Sequence, residues 1–171
     1  MNKTNTVPEE TVVAVSQETP KLSESQAIRE IERIGASQPA LYRFAAPLWL
    51  KLRPNAMRVC ISLFVTIVRI FERHFGERLQ RVGSQQWESM VEAKRLKLES
   101  LIDPSGRSDG RLSAELRKHQ PEIWAYVAYC LYDAEYPGFT LSGEERGQLS
   151  LLFVTVIEAL NNAVRPMETI N

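Results

Sequence analysis

Two short segments of the chain occur twice in the same order, and this repetition restricts the fold more than any other feature. Residues 63–68 read LFVTIV and residues 152–157 read LFVTVI. Residues 38–46 (QPALYRFAA) and 120–128 (QPEIWAYVA) match at their apolar and aromatic positions. The second copies follow the first by 89 and 82 residues (63 to 152 and 38 to 120), and the difference falls at 137–143, where a surface connection tolerates an insertion.

The repetition predicts a three-helix unit used twice, in which each copy buries its LFVT helix against the other. The alternative is two unrelated buried helices that draw on the same few apolar residues. Both interpretations require helices. Capping boxes open helices at Ser23 and Ser142, and prolines suited to a first helical turn stand at positions 39, 54 and 121. We therefore predict an all-α fold of about seven helices in a compact bundle.

Breaks in the helical pattern divide the chain. Residues 1–22 mix Thr, Val, Glu and Pro without a helical period, which predicts a flexible N-terminal tail. Residues 103–110 (DPSGRSDG) are rich in turn formers, which predicts a linker. The predicted organisation is a tail at 1–22, one helical domain at 23–166 (first repeat half 23–82, connector helix 84–102, linker 103–111, second repeat half 112–164) and a tail at 167–171.

The sequence predicts a cytoplasmic protein without membrane association. The most apolar stretches, 59–68 and 148–157, are each about half as long as the ~20 residues that cross a bilayer. Cys60 and Cys130 lie far apart inside apolar stretches, which suits reduced and buried thiols. The N-terminus has no apolar run behind a basic start, so no signal peptide is expected.

Most motifs that carry chemistry are missing from the sequence. It contains no Gly-rich phosphate loop and no His-Glu-x-x-His or Cys-x-x-Cys motif, and its one Gly-x-Ser-x-Gly match, at residues 106–110, falls in the turn-rich segment 103–110. The two histidines, His74 and His119, do not repeat the Glu-x-x-His spacing of a carboxylate-bridged metal site. We therefore predict no catalytic residue, no cofactor and no metal ion. A ligand-binding bundle or an enzyme with a site between the two halves is the second alternative function.

The formal net charge is zero, but the charges are unevenly distributed. Residues 1–118 carry 19 Lys and Arg against 14 Asp and Glu, and residues 119–171 carry 2 against 7. A basic side begins near the end of the third predicted helix and continues into the fourth; it comprises Arg69, Arg73, Arg78, Arg81, Lys94 and Lys97. It makes a nucleic-acid-associated regulator the first alternative function, although interleaved glutamates weaken its field.

The helix after Pro121 is unusually aromatic, with Trp124 and four tyrosines between positions 126 and 136. Aromatic side chains are enriched at protein interfaces, and opposite charge at the two ends of the chain can align a second copy. The sequence therefore favours a non-enzymatic protein–protein interaction or scaffold module, whose partner is another protein or the chain itself as a homodimer. The predicted partner-binding residues are Trp49, Tyr132, Tyr136 and Phe139.

Overall fold

The computed structural model describes residues 5–85, 87–89, 92 and 119–166, which form helices and connections with no strand among them. The predicted all-α class is confirmed. Six α-helices have their bounds within these residues: α1 Glu9–Glu18, α2 Glu24–Ser37, α3 Pro39–Trp49, α4 Pro54–Phe75, α5 Pro121–Ala128 and α6 Gly143–Asn162. Residues 84, 85, 87–89 and 92 are helical and belong to the predicted connector helix. The rest of that helix, the predicted linker at 103–111 and the tail at 167–171 lie outside the described residues.

Five of the six α-helices, α2 to α6, begin where the sequence predicts, whereas α1 was not predicted. Ser23 and Gln26 form a capping box: the amide of Gln26 donates to the serine hydroxyl at 3.3 Å, and the amide of Ser23 donates to the glutamine side chain at 2.8 Å. Ser142 and Glu145 make the equivalent pair of bonds at 3.1 and 2.8 Å. Prolines occupy the first positions of α3, α4 and α5, where their missing amide hydrogen leaves no bond unmade.

The helices α4 and α6 form the centre of the fold and contact each other. α4 buries 12 of its 22 residues and α6 buries 11 of its 20. The LFVTIV and LFVTVI segments are buried at every position, as predicted. The hydroxyls of Thr66 and Thr155 each donate to the carbonyl four residues earlier, both at 2.7 Å. The two helices also begin 89 residues apart, at Pro54 and Gly143, which is the offset of the repeated segments.

A buried glutamine precedes the proline that starts α3 and the proline that starts α5. The backbone angles are similar, with φ −130° and ψ 63° at Gln38 and φ −139° and ψ 71° at Gln120. The Gln38 side chain donates to the carbonyl of residue 80 at 3.0 Å and accepts from the amide of residue 82 at 2.9 Å. The Gln120 side chain donates to the carbonyl of residue 5 at 2.7 Å and accepts from the amide of residue 7 at 2.9 Å. We call these arrangements the glutamine bridges; each joins the start of one helix to a segment that precedes another.

Residues 5–18 belong to the packed fold, which contradicts the predicted flexible tail at 1–22. α1 contacts α4 and α5, and Val7, Val12 and Val15 are buried. Val12 and Val15 are three residues apart and therefore lie on one face of the helix, a period that the apolar run around them conceals. The helical domain thus begins before residue 23, and it contains α1 in addition to the three helices predicted for residues 23–82. Residues 1–4 lie outside the described part of the chain.

α4 is long and apolar enough to raise the question of a membrane span. By length and composition alone the stretch Pro54–Arg78 could cross a bilayer, but 56% of its most apolar window is buried within the fold. Buried central helices share this composition, and the neighbours of α4 are α1, α2, α3 and α6.

Candidate interaction surface

The end of α5 widens into a π-type turn, Tyr129–Asp133. The amide of Ala134 closes this turn by donating to the carbonyl of Tyr129 at 2.8 Å. Tyr129 is 57% exposed, whereas Tyr132 is half-buried with its hydroxyl 2.8 Å from that of Ser150 on α6. Wide turns of this kind are rare and occur frequently at functional sites.

A tight turn at Pro137 and Gly138 brings Tyr136 and Phe139 together. Gly138 has φ +79°, a conformation that glycine adopts without strain, and proline suits the position before it. The rings of Tyr136 and Phe139 stack with centroids 4.9 Å apart and an interplanar angle of 20°. The Tyr136 hydroxyl donates to the carbonyl of Cys130 at 2.7 Å, which fixes the stacked pair relative to the π-type turn.

Three of these aromatic residues, Tyr132, Tyr136 and Phe139, line a hollow of about 490 Å³ between the π-type turn and the first turn of α6. We define the aromatic surface as Tyr129, Tyr132, Tyr136 and Phe139, and the space beside it as the aromatic hollow. The hollow is also lined by Arg146 and by two exposed acidic residues, Asp133 and Glu135. The structure therefore brings three of the four predicted partner-binding residues together around one hollow.

Trp49, the fourth predicted partner-binding residue, does not belong to this surface. It is 7% exposed and packs edge-on against Tyr42 and Phe64, with ring centroids 5.6 and 5.4 Å away. The next residue, Leu50, is 86% exposed. One helical step of about 100° separates core from solvent at this point, and sequence reasoning chose the wrong side. It also missed Tyr129, the most exposed aromatic residue of the described chain, whose position in a widened turn has no signal in the sequence.

The predicted basic side is paired with the N-terminal element. Arg73 donates to both oxygens of the Glu18 carboxylate, at 2.9 and 2.6 Å, and Arg69 lies 3.4 Å from the same carboxylate. The hydrogen bond from Arg73 lowers the pKa of Glu18, and the charges of Arg73 and Arg69 add to this effect. Glu18 belongs to the segment that the sequence analysis assigned to a tail, so this neutralisation was not foreseen.

The remaining cations of the basic side do not form one free patch. Arg78 donates to the backbone carbonyl of Arg165 at 3.1 and 3.0 Å and to the side chain of Asn5 at 2.7 Å. Arg81 is exposed, and Lys94 and Lys97 lie outside the described residues. Three of the four described arginines of the basic side therefore bond to residues between 5 and 18 or to the backbone at Arg165.

A bidentate ion pair holds the connection beside the aromatic hollow. Arg53, which precedes α4, donates to the two oxygens of Glu145 at 2.8 and 2.6 Å and to the carbonyl of Thr140 at 2.9 Å. The hydrogen bond from Arg53 to Glu145, together with the hydrogen bonds from Ser142, lowers the pKa of Glu145 to about 2. The starts of α4 and α6 are thereby joined, and the segment after Gly138 is attached to both.

The thiols are not suited to nucleophilic chemistry. Both cysteines are free; burial raises the pKa of Cys60 to about 12 and also raises that of Cys130. Neither therefore supplies a thiolate at neutral pH. Within the described ranges, no three His, Cys, Asp or Glu side chains are grouped so that they could hold a metal ion.

Comparisons with known proteins return no relative: no family model, curated protein or solved structure matches the chain. Function is therefore inferred from the geometry of the described residues.

Proposed function

We propose that this protein is a non-enzymatic interaction module whose aromatic surface docks another protein. The observation that supports this most directly is the exposure of Tyr129 beside three half-buried rings around one hollow. Tyrosine supplies a large contact area at low conformational cost, and aromatic residues are enriched among the residues that dominate binding energy. Hydrogen bonds to Ser150 and Cys130 already hold two of these rings, so docking costs little further ordering.

The partner that we propose is a second copy of the chain, in a reducing cytoplasm. Two-fold dimers are the most common assemblies of soluble proteins, and their interfaces are richer in apolar and aromatic side chains than the remaining surface. Residues 1–118 carry net positive charge and residues 119–171 net negative charge, which supports pairing between oppositely charged parts of two copies. The free thiols of Cys60 and Cys130 fit a reducing compartment.

The scaffold of this module is, in our proposal, an internally duplicated helical unit in a compact bundle. The glutamine bridges support this when the boundary between the two copies is placed at residue 79 and not at the predicted residue 82. Gln38 of the first copy then bonds to residues 80–82 of the second, and Gln120 of the second bonds to residues 5–7 of the first. An antiparallel bridge between Leu79 and Val164, just beyond the ends of α4 and α6, lies between the same two halves. Reciprocal contacts of this kind are expected when two copies of a unit pair about a two-fold axis.

The homodimer is tested by small-angle X-ray scattering and by light scattering, both measured on the full chain at several protein concentrations. A compact monomer of this length has a radius of gyration of about 16 Å and a compact dimer one of about 20 Å. Tyr129→Glu and Phe139→Glu should each convert the dimer to monomer, because a charge placed in an apolar contact is desolvated without a partner. Leu50→Glu is the matched control, since it introduces the same charge at an exposed apolar residue outside the aromatic surface.

A monomer at every concentration would contradict the homodimer. A dimer that survives both Tyr129→Glu and Phe139→Glu would place its interface elsewhere on the molecule.

The two alternative functions make different predictions. A nucleic-acid-associated regulator should show binding that falls steeply with salt, but the pairing of Arg69 and Arg73 with Glu18 reduces the charge available for it. A ligand site between the two halves would use a hollow of about 790 Å³ between residues 80–83 and the end of α6. Native mass spectrometry of the purified chain would detect a retained ligand there.

A further inference from the structure

We propose that the aromatic hollow is a binding site for a small monocarboxylate with a flat apolar body, and that Arg146 pairs with the carboxylate. This inference goes beyond protein docking and does not depend on it. It starts from the missing hydrogen-bond partners of Arg146, a half-buried residue in the first turns of α6 that lines the hollow. Within the described chain its side chain makes no ion pair and donates no hydrogen bond, and its Nε atom is buried without a partner.

The other half-buried arginines of the described chain have oxygen partners. Arg69 lies 3.4 Å from the Glu18 carboxylate, and Arg78 donates to the carbonyl of Arg165 and to the side chain of Asn5. Arg146 has instead the ring of Tyr132, whose centroid lies 6.0 Å from its Cζ atom. A ring attracts a cation only weakly compared with a carboxylate, and a buried donor left unpaired is costly. Arg146 is half-buried and lines the hollow, so an anion in the hollow can approach its guanidinium.

The start of α6 contributes positive potential on the Arg146 side of the hollow, whereas the carboxylates of Asp133 and Glu135 contribute negative potential on its other side. Arg146 is the fourth residue of α6, and the free amides at a helix start stabilise negative charge nearby. Glu145, the neighbouring carboxylate, is already bonded to Arg53 and to the amide of Ser142. A guanidinium pairs best with a planar carboxylate, which accepts two parallel hydrogen bonds.

The rest of the hollow sets the shape of the ligand body. The stacked rings of Tyr136 and Phe139 form a rigid apolar wall, and the Tyr132 hydroxyl is held by Ser150. A volume of about 490 Å³ lies within the range of small-molecule sites. Flat apolar groups stack favourably on such rings, so an aromatic acid fits both ends of the site.

The acidic residues at the hollow select for a single negative charge. Asp133 and Glu135 are exposed and line the same space. They would repel a second anionic group, which disfavours dicarboxylates and phosphates relative to a monocarboxylate. The same repulsion should be relieved when Asp133 is replaced by its amide.

The experiment is an NMR titration of the full-length protein with phenylacetate, with phenylacetamide and phenyl phosphate as matched probes. Because the Arg146 Nε is buried, its N–H signal should be observable and should shift on binding. Phenylacetate is a small ligand, and we expect the protein to bind it with a dissociation constant of about 1 mM. Phenylacetamide and phenyl phosphate should each bind at least about 10-fold more weakly, because the amide lacks the charge that pairs with Arg146 and the phosphate carries additional negative charge that Asp133 and Glu135 repel.

Variants locate the site. Arg146→Gln should weaken phenylacetate binding about 10-fold or more, Arg146→Lys should weaken it less because the charge remains, and Asp133→Asn should strengthen it. Arg58→Gln, at an exposed arginine of α4, is the control and should bind as the natural chain does. Equal binding of the acid and the amide, undiminished binding by Arg146→Gln with an unchanged thermal midpoint, or no shift at tens of millimolar would each overturn the proposal.

Discussion

The two glutamine bridges are alike in geometry and differ in what they hold. The Gln38 bridge bonds to residues 80 and 82, which are connected to the fold on both sides, whereas the Gln120 bridge bonds to residues 5 and 7 near the N-terminus. Gln120 also donates to the side chain of Asn161 at 2.9 Å. Among the described residues, Gln38 makes no equivalent third bond. The same Gln-Pro helix start thus specifies the backbone angles and the bonding side chain, while the bonded segment is supplied by the rest of the fold.

The largest expected effect comes from removing the segment that Gln120 holds. Deletion of residues 1–18 removes the buried Val7, Val12 and Val15, each worth about 1.5 kcal/mol or more, and should lower the free energy of unfolding by about 5 kcal/mol. Urea denaturation measures this directly. Val15→Ala against Val13→Ala, a buried and an exposed valine of the same helix, is the matched pair. Unfolding of the truncated chain at the original urea midpoint would mean that α1 does not stabilise the fold.

Next in size are the two phenylalanines of the repeated segments. Phe64 and Phe153 are fully buried at equivalent positions of α4 and α6, so Phe64→Ala and Phe153→Ala should each cost about 3 to 5 kcal/mol. Chemical denaturation of both variants under one set of conditions tests the equivalence of the two halves. Changes below about 1 kcal/mol at both positions would be incompatible with a central role for these segments.

The bridges themselves should have smaller and unequal effects. Gln120→Leu leaves the fully buried amide of Val7 without an acceptor and should cost about 2 kcal/mol, while Gln38→Leu affects a half-buried segment and should cost about 1 kcal/mol. Hydrogen exchange gives a local readout, because exchange should accelerate at Val7 in the first variant and at Val82 in the second. Gln17→Leu, at an exposed glutamine of α1, is the control. Equal losses at both bridges would remove the difference drawn between them.

The smallest effect concerns an ion pair at the start of α6 that the start of α4 lacks, since the residue 89 positions before Glu145 is Ala56. The folded pKa of Glu145 is about 2, below its ordinary value of 4.5, mainly because of the hydrogen bond from Arg53. The stabilisation is therefore complete above about pH 4.5 and is lost as the pH falls toward 2. Arg53 is 59% exposed, so solvent screening keeps the contribution of this pair to stability small.

Unfolding measured at about pH 6 and about pH 2.5 should therefore show less acid destabilisation in Glu145→Gln than in the natural chain. Glu144→Gln, at the exposed neighbouring glutamate, provides the comparison. Identical acid sensitivity of Glu145→Gln and the natural chain would show that the pair adds nothing to stability.

The candidate site could be predicted only in part. Tyr132, Tyr136 and Phe139 were recognisable because aromatic residues cluster around a Pro-Gly turn, a local signal. Arg146 could not be recognised, because only the folded structure shows that its Nε atom is buried without a hydrogen-bond partner. Trp49 was assigned to the surface because a sequence does not reveal which side of a helix end faces the core.

By itself the sequence determined the class of fold, the starts of the helices and the burial of the LFVT segments. These depend on interactions within about one helical turn, as at Ser23 and Ser142, or on apolar runs that no surface would accommodate. Only the tertiary structure decided that α1 is docked and that Arg69 and Arg73 pair with Glu18. Both depend on groups far apart in the chain, such as Glu18 and Arg73, whose separation of 55 residues leaves no local pattern to detect.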